Sequence, residues 1–403
     1  MSELFPRPHT DLRNAAAIVG VGNSDYGYDY ETSRIRSERP CHDLTARLAN
    51  TALERALHDA GLARRDIDGV GFCYFLNDAN LVDAVQAADA LGLRPCVSKV
   101  MTPIMLGVVP EAVCELVNRN VDTFALIYSA PMRSIRQVFG GDSQGAGPMS
   151  YWYYHPWGWS SQAAHWALTA QHYLAKYGLR EEDLGIVAMS LRVNAGHNEY
   201  AVMRTALTMD DYIASRYVVQ PLRLLDICLV TDVAVCLILR RCGESLDLAQ
   251  IPVQVTGWGG AEAQGDRLRA LVVDGLESEY KEASRQALAM AGMQLSNIGH
   301  FEGYDASSIH LLNQIEGYGF VPRGDALGLW RDGYMTSRGV LPVNTGGGML
   351  SEVYGQGWNL VVEAVRQLRH SAGPRQVRDL TASMVSLSTT DGAYPLILTR
   401  GDA

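Results

Sequence analysis

Apolar residues in this chain fall into short runs separated by longer amphipathic stretches, a pattern that predicts strands interleaved with helices. AAAIVGVG, residues 15–22, is apolar and partly β-branched and predicts a buried strand. DLTARLANTALERALHDAG follows. Leu44, Leu48, Ala52, Ala56 and Ala60 recur there at helical spacing, and Gly61 is a natural C-terminal stop. IDGVGFCYF then predicts the next strand. The phrase returns at a constant offset of 231 residues. Ala52, Ala56, Leu57, Ala60, Gly61 and Ile67 match Ala283, Ala287, Leu288, Ala291, Gly292 and Ile298. A helix, its glycine stop and the following strand in one register point to a duplicated unit.

Each half opens on a strand, VQVTGWGG in the second case. VDTFALIYS, TASMVSLS and YPLILTR predict further strands, and WNLVVEAVRQLRH predicts a closing helix. Alternating strands and helices imply an α/β fold, with mostly parallel sheets covered by helices on both sides. The expected division is residues 1–246 and 247–403, with an insert at about 130–225 in the first half. The insert carries GGDSQGAGPMS, the aromatic cluster YWYYHPWGW (151–159) and the helix SQAAHWALTAQHYLAKYG stopped by Gly178. LTMDDYIASR opens a further helix, with Thr208 as N-cap and Asp211 completing a capping box.

Composition narrows the function. A net charge of −10 argues against a nucleic-acid or anionic-membrane surface. No apolar run reaches the ~18–20 residues that span a bilayer. The N-terminus, MSELFPRPHTDLRN, has no apolar core of a secretory signal, so a cytoplasmic protein is expected. The seven cysteines form no CxxC pair and no zinc-finger spacing with histidines, so no metal site is expected. GVGNSD is not a dinucleotide fingerprint, because Asp25 stands in place of the third glycine.

Four phrases carry a family likeness: YLAKYGLREEDL, LTMDDYIASRYVVQPLRLLDICLVTDVAVCLIL, FEGYDASS and LPVNTGGGMLSEVYGQG. In that order the chain resembles the thiolase superfamily, in particular sterol-carrier-protein-type thiolases, over about residues 15–400. The resemblance implies a layered αβαβα fold of two similar halves, a site at their junction and a homodimer. The family's catalytic groups do not carry over. No Cys lies between Met101 and Val113, and Cys114 falls in mid-helix. Ala306 follows Tyr304-Asp305 where a His is expected. Val353-Tyr354-Gly355 replaces Gly-His-Pro, and SLSTTDGAYP has no Cys. Acyl transfer through an acyl-Cys is therefore not expected.

The steroid side-chain-cleaving aldolases of the superfamily show this pattern. The resemblance implies that two tyrosines act there, at the positions of Tyr304 and Tyr354. It also implies an acyl-CoA thioester as substrate, no cofactor in this chain, and a partner subunit with a zinc ribbon and an OB-fold. A retro-aldol needs a base for the β-hydroxyl, donors for the thioester oxygen and an acid for Cα, which two phenols can supply. Asp305 is a candidate relay, although adjacent strand residues point to opposite faces. The N–H groups of Thr345, Gly346, Gly347 and Gly348 are candidates for an oxyanion hole. Trp157, in the aromatic cluster, is a candidate wall for a bulky acyl group, and the cluster serves equally as a dimer contact. His155 reads as structural, and Lys99 as a strand-end charge. The alternative function is a non-catalytic thiolase-fold subunit of an acyltransferase complex.

Overall fold

A computed structural model describes residues 10–33, 42–73, 76–77, 80–81, 83–101, 107–137, 155–157, 159, 161–243 and 249–401. The first half contributes β1 (Ala16–Asn23), α1 (His42–Ala60), β2 (Gly69–Cys73), β3 (Val97–Met101), α2 (Val108–Val117) and β4 (Thr123–Pro131). The insert adds α3 (Gln162–Tyr177), α4 (Gly185–Gly196) and α5 (Met209–Ala214) before β5 (Asp232–Arg241). The second half supplies β6 (Val253–Trp258), α6 (Glu277–Ala291), β7 (His300–Gly303), α7 (Ser308–Gly317) and α8 (Gly348–Ser351). It closes with α9 (Trp358–Leu368), β8 (Ala382–Ser388) and β9 (Gly392–Arg400).

The main sheet runs β7-β8-β9-β6-β1-β5-β4-β2-β3, with the short strand Ala261–Glu262 added on β9. The halves join where β1 meets β6 antiparallel, through Ala17↔Gln254 and Ile18↔Val253. The expectation of mostly parallel pairing is corrected: among the described residues, parallel ladders occur only as β4-β2-β3 and β7-β8. The reason is local. β5 enters from the insert and returns antiparallel between β4 and β1, and β9 follows β8 through a tight turn.

Three apolar clusters give the layers. α1 covers one outer face, on Val70, Phe72, Ala125, Ile127, Ala234 and Cys236. α6, α7 and the insert helices cover the other, on Phe301, Met384 and Ile397. Between them lie α2 and α9, packed on Leu126, Tyr128, Val235, Leu237, Val385 and Leu387. Consecutive residues of β4 thus feed different clusters, as strand geometry dictates. The result is an αβαβα stack.

The sequence repeat is a packing device. A Cβ on Gly22 would lie 2.1 Å from the Ala52 carbonyl oxygen, and one on Gly259 would lie 2.2 Å from that of Ala283. Glycine on the strand and alanine on the helix let α1 and α6 sit directly on β1 and β6. Both helices end in one motif: Leu62 N–H donates to Leu57 O at 2.9 Å, and Met293 N–H to Leu288 O at 3.0 Å. Gly61 and Gly292 take φ of +71° and +64° there. In the insert, Gly178 stops α3 at φ +64°, and Thr208 and Asp211 form the expected capping box.

Candidate active site

Three segments meet where the middle layer faces the second half. Tyr304-Asp305 leaves the end of β7. Tyr354 and Gln356 lie in the turn between α8 and α9. Cys228 to Thr231 leads into β5. Each tyrosine is held by a side chain that reads its backbone twice. Gln314 Nε2 donates to Tyr304 O at 2.7 Å, and its Oε1 accepts from Tyr304 N–H at 3.0 Å. Thr231 Oγ1 accepts from Tyr354 N–H at 3.1 Å and donates to Tyr354 O at 3.3 Å.

The structure brings the two phenols together in a side-chain hydrogen bond. Burial pushes both above the ordinary tyrosine value. Their mutual bond pulls Tyr304 back down and pushes Tyr354 further up, the pattern of a bond donated by the Tyr354 hydroxyl to Tyr304. The Gln356 side chain donates to the Tyr354 oxygen and lowers it in turn. Cys228 adjoins both phenols, and burial pushes its thiol up to about 12, so it is neutral at pH 7. His310 presents its ring to Tyr304 edge-on at 5.8 Å and stacks on Trp166 of the insert at 3.8 Å. Burial holds it down to about 3, so it is uncharged.

Other expected site residues are used differently. Asp305 turns to the glycine run: its carboxylate accepts from Met349 N–H at 2.8 Å and Leu350 N–H at 3.0 Å. Burial raises it to about 6, against the pull of those bonds. It positions the start of α8 and is not hydrogen-bonded to the Tyr304 hydroxyl among the described contacts. Two of the three glycines pack closely against protein. Gly347 and Gly348 have φ of +105° and +61°. A Cβ on Gly348 would lie 2.2 Å from Asp305 Oδ2, and one on Gly347 would lie 2.6 Å from Ala195 Cβ. Thr345 N–H is taken by Glu302 at 2.8 Å, and Gly347 N–H by the Asn344 carbonyl at 2.9 Å. Among the described residues the N–H groups of Gly346 and Gly348 have no acceptor, so of the four expected donors these two are free for a ligand oxygen.

Trp157 is 83% exposed on the short turn His155–Trp157, so its ring does not pack into the tyrosine site. Residues 151–154, the side chain of His155 and residues 102–106 at the family's nucleophile position lie outside the described residues. Lys99 lies in the middle of β3, not at its end as expected, and its side chain pairs with Glu111 and Glu115 of α2.

Beneath the site lies a buried polar network. Arg375 grips Glu363 of α9 with Nε and Nη2 at 2.9 Å each. Burial raises Glu363, but Arg375 overrides it and holds the carboxyl well below its ordinary value. Burial and the charge of Glu363 push Glu302 up, and burial holds its neighbour His300 down to about 4. Glu352 accepts from Asn198 and Asn359 at 3.0 Å each. Burial, then the charge of Glu363, raise it from 4.5 to about 8.

The sign of the Glu352 effect is testable. A carboxyl raised on folding costs nothing below pH ~4.5, where both states are protonated. Its cost grows by about 1.4 kcal/mol per pH unit up to about pH 8, then levels off. Glu352→Gln removes that cost. Urea denaturation at pH 5, 6.5 and 8 is expected to show the variant gaining on the wild type as pH rises. A difference independent of pH would mean that Glu352 is ionised in the folded protein throughout.

Comparison with known proteins supplies relatives along nearly the whole chain. The Thiolase C-terminal domain-like family matches residues 270–394, which contain both tyrosines. The 17-hydroxy-3-oxo-4-pregnene-20-carboxyl-CoA lyase of Mycobacterium tuberculosis is 32% identical, over 89% of this chain and 92% of its own. A steroid side-chain-cleaving aldolase of Thermomonospora curvata is 29% identical, over 96% of this chain and 98% of its own. The solved Ltp2-ChsH2(DUF35) aldolase superposes with a TM-score of 0.82 at 28% identity, over 97% of this chain and 99% of that one. With this likeness along nearly the whole length, and with paired phenols where the superfamily's cysteines and histidines are missing, the chain belongs to the thiolase superfamily, in the branch of the steroid side-chain-cleaving aldolases.

Proposed function

We propose that this protein is a carbon–carbon lyase that cleaves a β-hydroxyacyl-CoA thioester by retro-aldol chemistry, with a bulky, steroid-like acyl group. The observation that carries this reading is the hydrogen-bonded pair of neutral phenols. A retro-aldol is proton-neutral overall: the β-hydroxyl loses one proton and Cα gains one. Two phenols in series suffice, and no phenolate is needed at rest. The β-hydroxyl gives its proton to the Tyr354 oxygen. Tyr354 passes its own proton along the existing bond to Tyr304, and Tyr304 gives its proton to Cα. The Cα–Cβ bond breaks, its electron pair goes to Cα as the thioester enolate, and Cβ becomes a carbonyl. Raised phenol values fit this route, since both groups must carry protons to begin it.

The proposal includes assembly. A homodimer is supported by β3, the outermost strand, whose Val100 is 46% exposed. A zinc-ribbon and OB-fold partner is supported by the solved relative, whose name joins two components. The chain itself supplies no cofactor in this reading; coenzyme A arrives as part of the substrate. A cytoplasmic location is part of the proposal, as coenzyme A thioesters are its substrates in this reading; separately, among the described residues no helix is long and apolar enough to cross a membrane.

The test is direct. The protein is co-expressed with its candidate partner and given 17-hydroxy-3-oxo-4-pregnene-20-carboxyl-CoA, the thioester in the name of the mycobacterial relative. Release of the steroid ketone is expected. If neither this thioester nor a panel of other β-hydroxyacyl-CoA esters is cleaved, the non-catalytic subunit becomes the better reading.

A further inference from the structure

Gln356 stands out in the turn that carries Tyr354. It sits between Gly355 and Gly357 and takes a positive φ, +48°, although it bears a Cβ. Such a conformation is disfavoured for a residue other than glycine and persists where the surroundings enforce it, often at a site of function. Its two amide ends have different fates. The nitrogen donates to the Tyr354 hydroxyl oxygen. The oxygen, Oε1, is buried and has no partner among the described residues. A buried acceptor without a donor is costly, and native proteins seldom keep one without a use.

From this geometry we infer that Gln356 reads the substrate's β-hydroxyl: Oε1 accepts its hydrogen bond while the amide nitrogen holds the Tyr354 oxygen alongside. The inference rests on the lyase reading above and adds a specificity-determining residue to it. The two atoms of one planar amide lie roughly 2.3 Å apart, so groups bound to them are neighbours. A hydroxyl docked on Oε1 therefore lies beside the phenol oxygen, and rotation about its C–O bond turns its one proton from Oε1 to that oxygen as the reaction begins. The orphaned acceptor also explains discrimination. A thioester without the hydroxyl leaves Oε1 desolvated and unpaired, whereas a hydroxyacyl thioester satisfies it.

The test is a binding measurement with two probes, 17-hydroxy-3-oxo-4-pregnene-20-carboxyl-CoA and its counterpart without the 17-hydroxyl. Both are titrated into this chain in a Tyr304→Phe background, which spares the Gln356–Tyr354 contact and slows cleavage enough for binding to be read first. We expect the hydroxy thioester to bind on the order of 10-fold more tightly, as one recovered buried acceptor implies. Adding Gln356→Met abolishes that preference by weakening the hydroxy thioester alone. Adding Gln356→Glu, which retains an acceptor oxygen, keeps it. Circular dichroism confirms that each variant is folded. Equal binding of the two probes before Gln356 is changed overturns the inference, as does an undiminished preference in Gln356→Met or its loss in Gln356→Glu. Cleavage of the hydroxy thioester by the Tyr304→Phe chain at a near-wild-type rate would instead count against the two-phenol route, so the two failures are distinct.

Discussion

Tyr354→Phe is expected to lower kcat by about 10²- to 10⁴-fold, the usual contribution of a positioned proton-transfer group. Tyr304→Phe should do the same. Each change removes one hydroxyl, so the stability loss should be only about 1 kcal/mol. The serial arrangement makes a sharper demand. If the proton passes from Tyr354 to Tyr304 in one chain, breaking either link stops it. The double variant should then be about as slow as either single one, because groups that act as a unit are not additive. Single-turnover rates on the three variants, with Tm measured on the same samples, settle the matter. Multiplied losses in the double variant would mean independent roles, and a near-wild-type kcat in either single variant would remove that residue from the route.

Arg375→Met should produce the largest loss of stability, about 3–5 kcal/mol, because it leaves a buried charge without its partner. Arg375 is bonded through two nitrogens to Glu363, with side-chain exposures of 6% and 1%. The carboxyls of Glu302 and Glu352 also lie within its electrostatic reach. Without the guanidinium, three carboxyls share an interior with no cation among these groups. Adding Glu363→Gln should recover most of the loss, since the amide keeps the shape and can still bond Thr345 and Gln367. Chemical denaturation of the two single variants and the double variant gives the coupling. A single-variant cost under about 1 kcal/mol would mean that Glu363 is already neutral in the folded chain.

The parts of this molecule written in periodic or local patterns were legible in the sequence. α1 and α6 were visible because alanines repeat at helical spacing and a glycine must follow where the chain reverses hand. Tyr304 and Tyr354 were visible through the phrases around them, not through any property of a tyrosine. Their supports were not. Thr231 and Gln314 act on backbone groups, one of them across 123 residues, and no spacing rule encodes that. Cys228 and His310 lay inside quoted phrases or beside them, but their places follow from how three segments converge. Asp305 and the glycines were singled out as a relay and as oxyanion donors, whereas their tight contacts in the structure are with each other. Strand direction was misread because the return of β5 from a long insert looks, in sequence, like a crossover.

The layer formed by α2 and α9 belongs to neither half alone. One helix comes from each, and both share a single apolar cluster with strands of both halves. A fragment cut between Gly243 and Ala249 would carry away half a core and expose the other half to water. Although the chain looks like two copies of one unit, its inheritance is not modular. Any shuffling of halves between relatives must carry α2 and α9 as a matched pair, and the turn holding Tyr354 and Gln356 moves with α9.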